Sequence, residues 1–293
     1  MGIAVGIVLL HYNDAELTEK CVADFRMQNW DKIDYHFVVV DNASPDGSGK
    51  ELADFFECDQ DVSVLLSTQN GGFSKGNNIG IHFLQSKQKY NLIVVSNNDI
   101  KIEDKDFFQK LVKIYEKEQF AVLGPSIFSL AKNFEQSPIR QQLLGTEELP
   151  QMVTSFRKKL FLLKLIKPFH VYDLLKKLRN SRGKQGAQKG MDSELPQDNV
   201  VVHGSFFVLS EYYLQEFPDG LYDKLFMYME EDALAYRCHK KKLKIVYRPE
   251  LKVLHYDGMS AKKSTGSRIN KFIFELEHMM ESVQELERMM TEG

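Results

Sequence analysis

The stretch Ile3-Ala4-Val5-Gly6-Ile7-Val8-Leu9-Leu10, followed at once by His11-Tyr12-Asn13-Asp14, sets the frame for the whole chain. An apolar run of strand length that stops abruptly in polar side chains is how a buried strand ends at a solvent-facing edge. The same phrase returns further along the chain. Phe37 to Val40 leads into Asp41-Asn42-Ala43-Ser44, Val62 to Leu66 is followed by Gln69-Asn70-Gly71-Gly72, and Leu92 to Val95 leads into Ser96-Asn97-Asn98-Asp99. Between these runs lie segments of helical period, Ala15 to Met27, Gly49 to Phe56 and Lys75 to Leu84. Strand and helix in alternation predict an α/β fold with a mainly parallel, doubly wound sheet. Ligands of such sheets sit where the strands end at their carboxyl edge, which is where the four polar clusters fall.

Outward from this frame, a helix is expected near Asp104 to Glu118 and a strand near Val122 to Ile127. Order resumes with a strand-rich stretch from Val200 to Leu209, a helix from Glu231 to Lys241, strands at Ile245 to Tyr247 and Lys252 to Leu254, and a final helix from Ile269 to Thr291. This divides the chain into a ligand-binding half over 1–130, an irregular region with a basic insert over 131–199, a second half of the same domain over 200–260, and a C-terminal helix over 261–293.

A chain of 293 residues, 43% hydrophobic and 27% charged, can bury a full core and is neither disordered nor of low complexity. Its three cysteines, Cys21, Cys58 and Cys238, form no C-x-x-C pair, so a reduced cytosolic compartment is the simpler expectation. The N-terminus has neither a basic n-region nor a small-residue cleavage site, which predicts no signal peptide. No apolar run reaches the roughly 18–20 residues that cross a bilayer. The net charge of −3 is uneven: Ser155 to Gly190 holds eleven Lys or Arg against the single acid Asp173, leaving about −13 for the rest.

Several polar residues carry two readings each. Asn70 to Gly80 is a glycine-rich turn opening a helix, where backbone N–H groups can approach a phosphate or a sugar, or where a turn simply needs small residues. It lacks the G-x-G-x-x-G spacing and follows the third strand, which argues against a dinucleotide dehydrogenase. Asp41 can accept a hydrogen bond from the imide N–H of uracil or thymine, or can make an Asx turn that caps the next helix. Asp99 ends the fourth strand as an oxygen ligand for a hard divalent cation, with His255 a candidate second ligand better suited to Mn²⁺ than Mg²⁺. Glu230-Glu231-Asp232 opens a helix, where acids are stabilised by the helix dipole or, if one points into the cleft, can take a proton from a hydroxyl. Spacing does not choose between Glu231 and Asp232.

Together these residues resemble the family 2 inverting glycosyltransferases of GT-A fold, most closely their rhamnosyltransferase-like bacterial branch, over about 3 to 130 and 200 to 260. The family's Asn-x-Gly-Phe-x-x-Gly-x-Asn-x-Gly signature is matched by Asn70, Gly72, Phe73, Gly76, Asn78 and Gly80. Its Tyr-Asn strand end is similar to His11-Tyr12-Asn13, and its Val-Asp-Asn-x-Ser element to Val40-Asp41-Asn42-Ala43-Ser44. Its Asp-x-Asp metal motif stands here as Asn97-Asn98-Asp99, with Asn in the first place. The resemblance implies donor contacts at His11, Tyr12, Asn13, Asp41, Asn70, Gly72, Phe73, Asn78 and Asn97, and a metal, Mn²⁺ or Mg²⁺, at Asp99 and His255. It further implies a sugar-side contact at His203-Gly204 and a catalytic base at Asp232, with Glu231 beside it. The implied activity is transfer from a nucleoside-diphosphate sugar, dTDP-L-rhamnose among the candidates, to a saccharide or lipid-linked saccharide with inversion, in bacterial surface-polysaccharide assembly. The missing first Asp motivates an alternative, a non-catalytic sugar-nucleotide-binding or scaffolding partner of a glycosyltransferase complex.

The segment from Phe156 to Lys167, continued by Val171 to Leu178, mixes bulky apolar residues with lysines. It reads either as an interfacial helix on anionic lipid, a membrane contact through 156–189, or as helices packing on the core with their lysines in water. No nucleic-acid-binding module surrounds it. The apolar stripe of the last helix, from Ile269 to Met290, serves packing against the domain or against a partner copy.

Overall fold

Alternation along the first strand explains the layering. Val5, Ile7 and Leu9 belong to one hydrophobic cluster, Ala4 and Val8 to another, and both are buried. A strand with two apolar faces must lie between two layers of helix. The computed structural model, which describes residues 2–167, 193–257 and 268–292, has that arrangement. The same odd-even division holds in the second strand (Phe37 and Val39 against Val38 and Val40), and it holds in the fourth (Leu92 and Val94 against Ile93 and Val95).

In chain order the elements are β1 (Ile3–His11), α1 (Ala15–Arg26), β2 (Ile33–Asp41), α2 (Ser48–Phe55), β3 (Val62–Leu66), α3 (Gly72–Lys87), β4 (Leu92–Asn97), β5 (Ile100–Lys101) and α4 (Phe107–Glu118). They continue with β6 (Val122–Ser129), β7 (Phe134–Glu135), α5 (Glu148–Ile166), β8 (Gln197–Asp198), β9 (Phe206–Ser210), α6 (Glu211–Glu216), α7 (Glu230–Lys240), β10 (Ile245–His255) and α8 (Arg268–Glu292). One sheet runs β3-β2-β1-β4-β9-β6-β10-β5, with β7 beside β6 and β8 beside β10. Strands β3, β2, β1 and β4 are parallel, and so are β6 and β10. Strand β9 is antiparallel to both neighbours and joins the two parallel blocks.

The two strands expected at Ile245 to Tyr247 and Lys252 to Leu254 are one strand, whose register against β6 shifts between Arg248 and Lys252. Pro249 stands in that interval and has no N–H to give to a ladder. Helix α3 starts at Gly72, a turn earlier than the apolar period suggested.

A third cluster lies off the sheet. Leu149, Val153, Phe156, Leu160 and Leu163 of α5 are buried with Ile269, Ile273, Leu276, Val283 and Leu286 of α8, together with Leu225 and Ala233. The stripe of the last helix therefore packs on the domain, through α5. The opposite side of α5 leaves Phe161, Leu162 and Leu165 exposed. The expected continuation over Val171 to Leu178 lies outside the described residues. Among the described residues no helix is long and apolar enough to cross a membrane.

Candidate active site

Parallel pairing brings the strand ends together: His11 is opposite Asp41, and Leu10 is opposite Asn97. Beneath this edge runs a chain of polar contacts. Asn98 Nδ2 donates to Thr18 Oγ1 at 2.9 Å, Thr18 Oγ1 lies 2.7 Å from His11 Nδ1, and His11 Nε2 lies 2.8 Å from Ser48 Oγ, which donates to Asp46. His11 is wholly buried with both ring nitrogens engaged, so it ties β1 to α1 and α2. Burial lowers its pKa, which suits a ring that both donates and accepts.

The glycine-rich segment is organised by Asn42, which follows the second strand. Asn42 Oδ1 accepts from Gly71 N at 2.9 Å, while its Nδ2 donates to Gly72 O at 3.0 Å and to Asn70 Oδ1 at 3.1 Å. Asn70 Oδ1 also accepts from Gly72 N at 2.9 Å. Gly72 has φ +78°, and a Cβ there would lie 1.9 Å from the backbone oxygen of Phe226. Only glycine allows that approach, and the adjacent Phe73 N–H donates to Phe226 O at 3.0 Å. Asn78 clamps Leu221 from both sides, donating to its carbonyl at 2.8 Å and accepting from its N–H at 2.7 Å. Asn70 and Asn78 thus hold the loop and its neighbour in shape. Asp41 makes the Asx turn, accepting the Ser44 N–H at 3.1 Å, and is buried. Tyr12 stands exposed at the edge. Asn13 adopts φ 64° and leaves its Oδ1 buried with no hydrogen-bond partner, an acceptor available to a ligand.

Across the edge, the short ladder between β5 and β10 pairs Ile100 with His255, and Tyr256 N donates to Asp99 O at 3.0 Å. His255 Nε2 then lies 3.1 Å from Asp99 Oδ1 with both side chains buried. Gln136 Nε2 donates to Asp257 at 3.3 Å, so its Oε1 faces His255 Nδ1 at 2.8 Å and requires a proton there. His255 Nε2 and a carboxylate oxygen, both able to ligate a metal, thus face each other. Two such groups aimed at each other fit a shared cation, and the amide behind the ring is the kind of outer partner that orients a metal-ligating histidine. Among the described residues no three His, Cys, Asp or Glu converge, and Asp99 and His255 stand there as a pair. Asn97 is joined through its N–H to Ser205 O at 2.9 Å.

His203 lies beside this pair, its ring centroid 6.1 Å from that of His255. Its Nδ1 accepts the Ser205 N–H at 3.1 Å, so the neutral ring carries its proton on Nε2. Burial, with His255 second, holds its pKa down at about 4.

Two left-handed residues, Tyr228 (φ 70°) and Met229 (φ 65°), turn the chain into α7 and put three acids in its first turn. Glu231 Oε1 accepts the Gly204 N–H at 3.1 Å, and a Cβ on Gly204 would come within 2.7 Å of that oxygen. Phe73, Gly204, Glu230 and Glu231 line one recess. Burial pushes the Glu231 pKa up, and burial together with Glu231 pushes Glu230 to about 8. Asp232 is buried and ion-paired with Arg140: burial raises its pKa and the guanidinium opposes that. Arg140, in the expected irregular region, escaped the sequence reading. It is placed by a β-bridge to Val201, a long-range pairing that no local pattern announces.

The profile of glycosyl transferase family 2 matches residues 6–215, more than half of the chain. The chain belongs to this family. It is 28% identical over 210 residues to the low-salt glycan biosynthesis hexosyltransferase Agl10 of Haloferax volcanii, a match that covers 71% of this chain and 55% of that one. It is also 28% identical over 125 residues to the glycosyltransferase GlyG of Streptococcus pneumoniae, covering 42% of this chain and 39% of that one. The chain thus spans about half the length of the Haloferax relative. The mannosyltransferase PcManGT from Pyrobaculum calidifontis, solved with GDP-Man and Mn²⁺, superposes with TM-score 0.51 at 13% identity over 94% of this chain and 69% of its own. GalNAc-T7, solved with UDP, GalNAc and Mn²⁺, superposes with TM-score 0.59 at 14% identity over 87% of this chain and 44% of its own. At such identities the likeness concerns the fold, which is GT-A.

Proposed function

We propose that this chain transfers a hexose from a nucleoside-diphosphate sugar to a saccharide or lipid-linked saccharide acceptor with inversion, in the assembly of a surface polysaccharide. The observation that carries the reading is the buried pair of Asp99 and His255, far apart in sequence and 3.1 Å apart at the sheet edge. Asp99 and His255 would hold Mn²⁺ or Mg²⁺, whose charge offsets that of the departing diphosphate. Asp232 takes the proton of the acceptor hydroxyl as that oxygen bonds to the anomeric carbon and the bond to the diphosphate breaks. Arg140 opposes the rise that burial gives the Asp232 pKa, which favours the ionised form this role needs. A single displacement inverts the anomeric centre and needs no enzyme nucleophile. On the donor side Tyr12 and Asn13 stand at the base and ribose end, with Gly72, Phe73 and Asn97 along the cleft and the His203 Nε2–H and Gly204 near the sugar.

Contact with an anionic bilayer through α5 belongs to the same proposal. Phe161, Leu162 and Leu165 are 72%, 57% and 56% exposed. Arg157, Lys158 and Lys159 precede them in the same helix, a composition that suits acyl chains flanked by phosphates.

The test is nucleoside-diphosphate release from a panel of UDP-, GDP- and dTDP-sugars, dTDP-L-rhamnose included, with Mn²⁺ or Mg²⁺. Metal-dependent release from one donor, lost in Asp232→Asn, supports the transferase and names the sugar. If no donor is bound or turned over, even with a lipid-linked acceptor extract, the non-catalytic reading motivated by Asn97 takes its place.

A further inference from the structure

Beside the glycine-rich segment, three rings meet on an open surface. The ring of His278, on α8, lies 4.8 Å from Phe226 and 4.2 Å from Phe274, centroid to centroid. Phe274 is 47% exposed, and the His278 side chain retains 23%. Phe274 and His278 are one helical turn apart, so their outward positions follow from the period of α8. Packing of α8 on α5 uses other positions of the helix, and neither ring belongs to that buried cluster.

This group is joined to the donor side of the cleft by backbone contacts. Phe226 O is the acceptor for Phe73 N–H and the atom that a side chain at position 72 would strike. Ser282 Oγ, one turn beyond His278, donates to Met227 O at 2.6 Å and fixes the helix against the same loop. The Tyr228 phenol, two residues beyond Phe226, is raised to about 12 by burial and then by the charges of Glu275 and Glu230. Open aromatic faces offer stacking to the C–H side of a pyranose, and the neighbouring carboxylates of Glu275 and Glu281 can accept from its hydroxyls. Phe226, Phe274 and His278 all lie beyond residues 6–215, outside the part of the chain that matches the family profile.

We propose that Phe226, His278 and Phe274 form a shelf on which a pyranose unit of the acceptor saccharide stacks, so that α8 helps to select the acceptor. The proposal rests on the transferase reading. Its position is what commits it to a saccharide: through Phe226 the shelf adjoins the glycine-rich loop that the transferase reading puts beside the donor.

Saturation-transfer NMR of the full chain with the methyl glycosides of rhamnose, glucose, galactose and N-acetylglucosamine tests it. At least one glycoside should bind the wild type, with saturation strongest on the ring C–H protons. Its Kd should rise about three- to tenfold in Phe274→Ala and recover in Phe274→Trp. Phe55→Ala, which removes an exposed ring on α2, should leave that Kd at the wild-type value. An unchanged Kd in Phe274→Ala overturns the shelf, as does self-association of the wild type that Phe274→Ala abolishes. Donor hydrolysis by the wild type is measured in parallel. Hydrolysis without glycoside binding overturns the shelf alone, whereas absence of both overturns the transferase reading with it.

Discussion

On the β1, β2 and β4 side of the carboxyl edge, most of the conspicuous polar side chains are occupied with one another. Asn42, Asn70, Asn78, His11 and Asp41 all have protein partners and shape the loops. On the side of β10 and α7, polar groups confront each other with charge in play: Asp99 faces His255, and three acids crowd one helical turn opposite Arg140. The first side is a mould built from hydrogen bonds among its own groups. The second holds the groups that can change protonation or share a cation. A motif that is dense in sequence therefore marks where the shape is made, while the chemistry is assembled from single residues that the fold collects.

The largest expected effect comes from the second side. Asp232→Asn should reduce turnover by roughly 10²–10⁴-fold with little change in stability, read as nucleoside-diphosphate release. An active variant would move the base to Glu231 and erase the assignment of roles on that side. On the first side the effect should fall on folding. Gly72→Ala forces a side chain into a left-handed conformation and against Phe226 O, and should cost roughly 2–4 kcal/mol in denaturant unfolding. A neutral result would mean the mould tolerates what its geometry forbids.

Arg140→Ala sharpens the contrast through pH. The guanidinium lowers the Asp232 pKa, so its removal should raise that pKa and move the acid limb of kcat/KM upward by about one unit. A limb that stays in place would detach Arg140 from the base. A further effect, on the pH dependence of stability and not on turnover, is expected at Glu230. An unfolded glutamate ionises from about 4.5, whereas the folded one holds its proton to about 8. The unfolded chain thus binds fewer protons between these values, and the wild type loses stability as pH rises through that window. Glu230→Gln should flatten this part of the stability profile, and equal slopes for both proteins would show that Glu230 is not held protonated.

Much of the fold was legible in the sequence because its signals are local. Strands such as β3 begin and end where the apolar run does, and the β-α alternation leads directly to parallel pairing. The antiparallel β9 was not legible, since a short buried run reads the same in either direction. Within the site, His11 shows the limit on the other side: a polar residue after a strand looks like a ligand contact, yet Thr18 and Ser48 take both its nitrogens. For Asp41 the tertiary structure adds the turn that Ser44 closes.

By itself the sequence determined the class of fold, the strand ends at which its polar clusters gather and the glycine at position 72, because hydrophobic period and backbone freedom act between residues close along the chain. Only the tertiary structure decided that Asp99 meets His255, that Gln136 sets the proton on that ring, and that Arg140 reaches Asp232. Those pairings join side chains more than ninety residues apart, and no local preference encodes which of them meet.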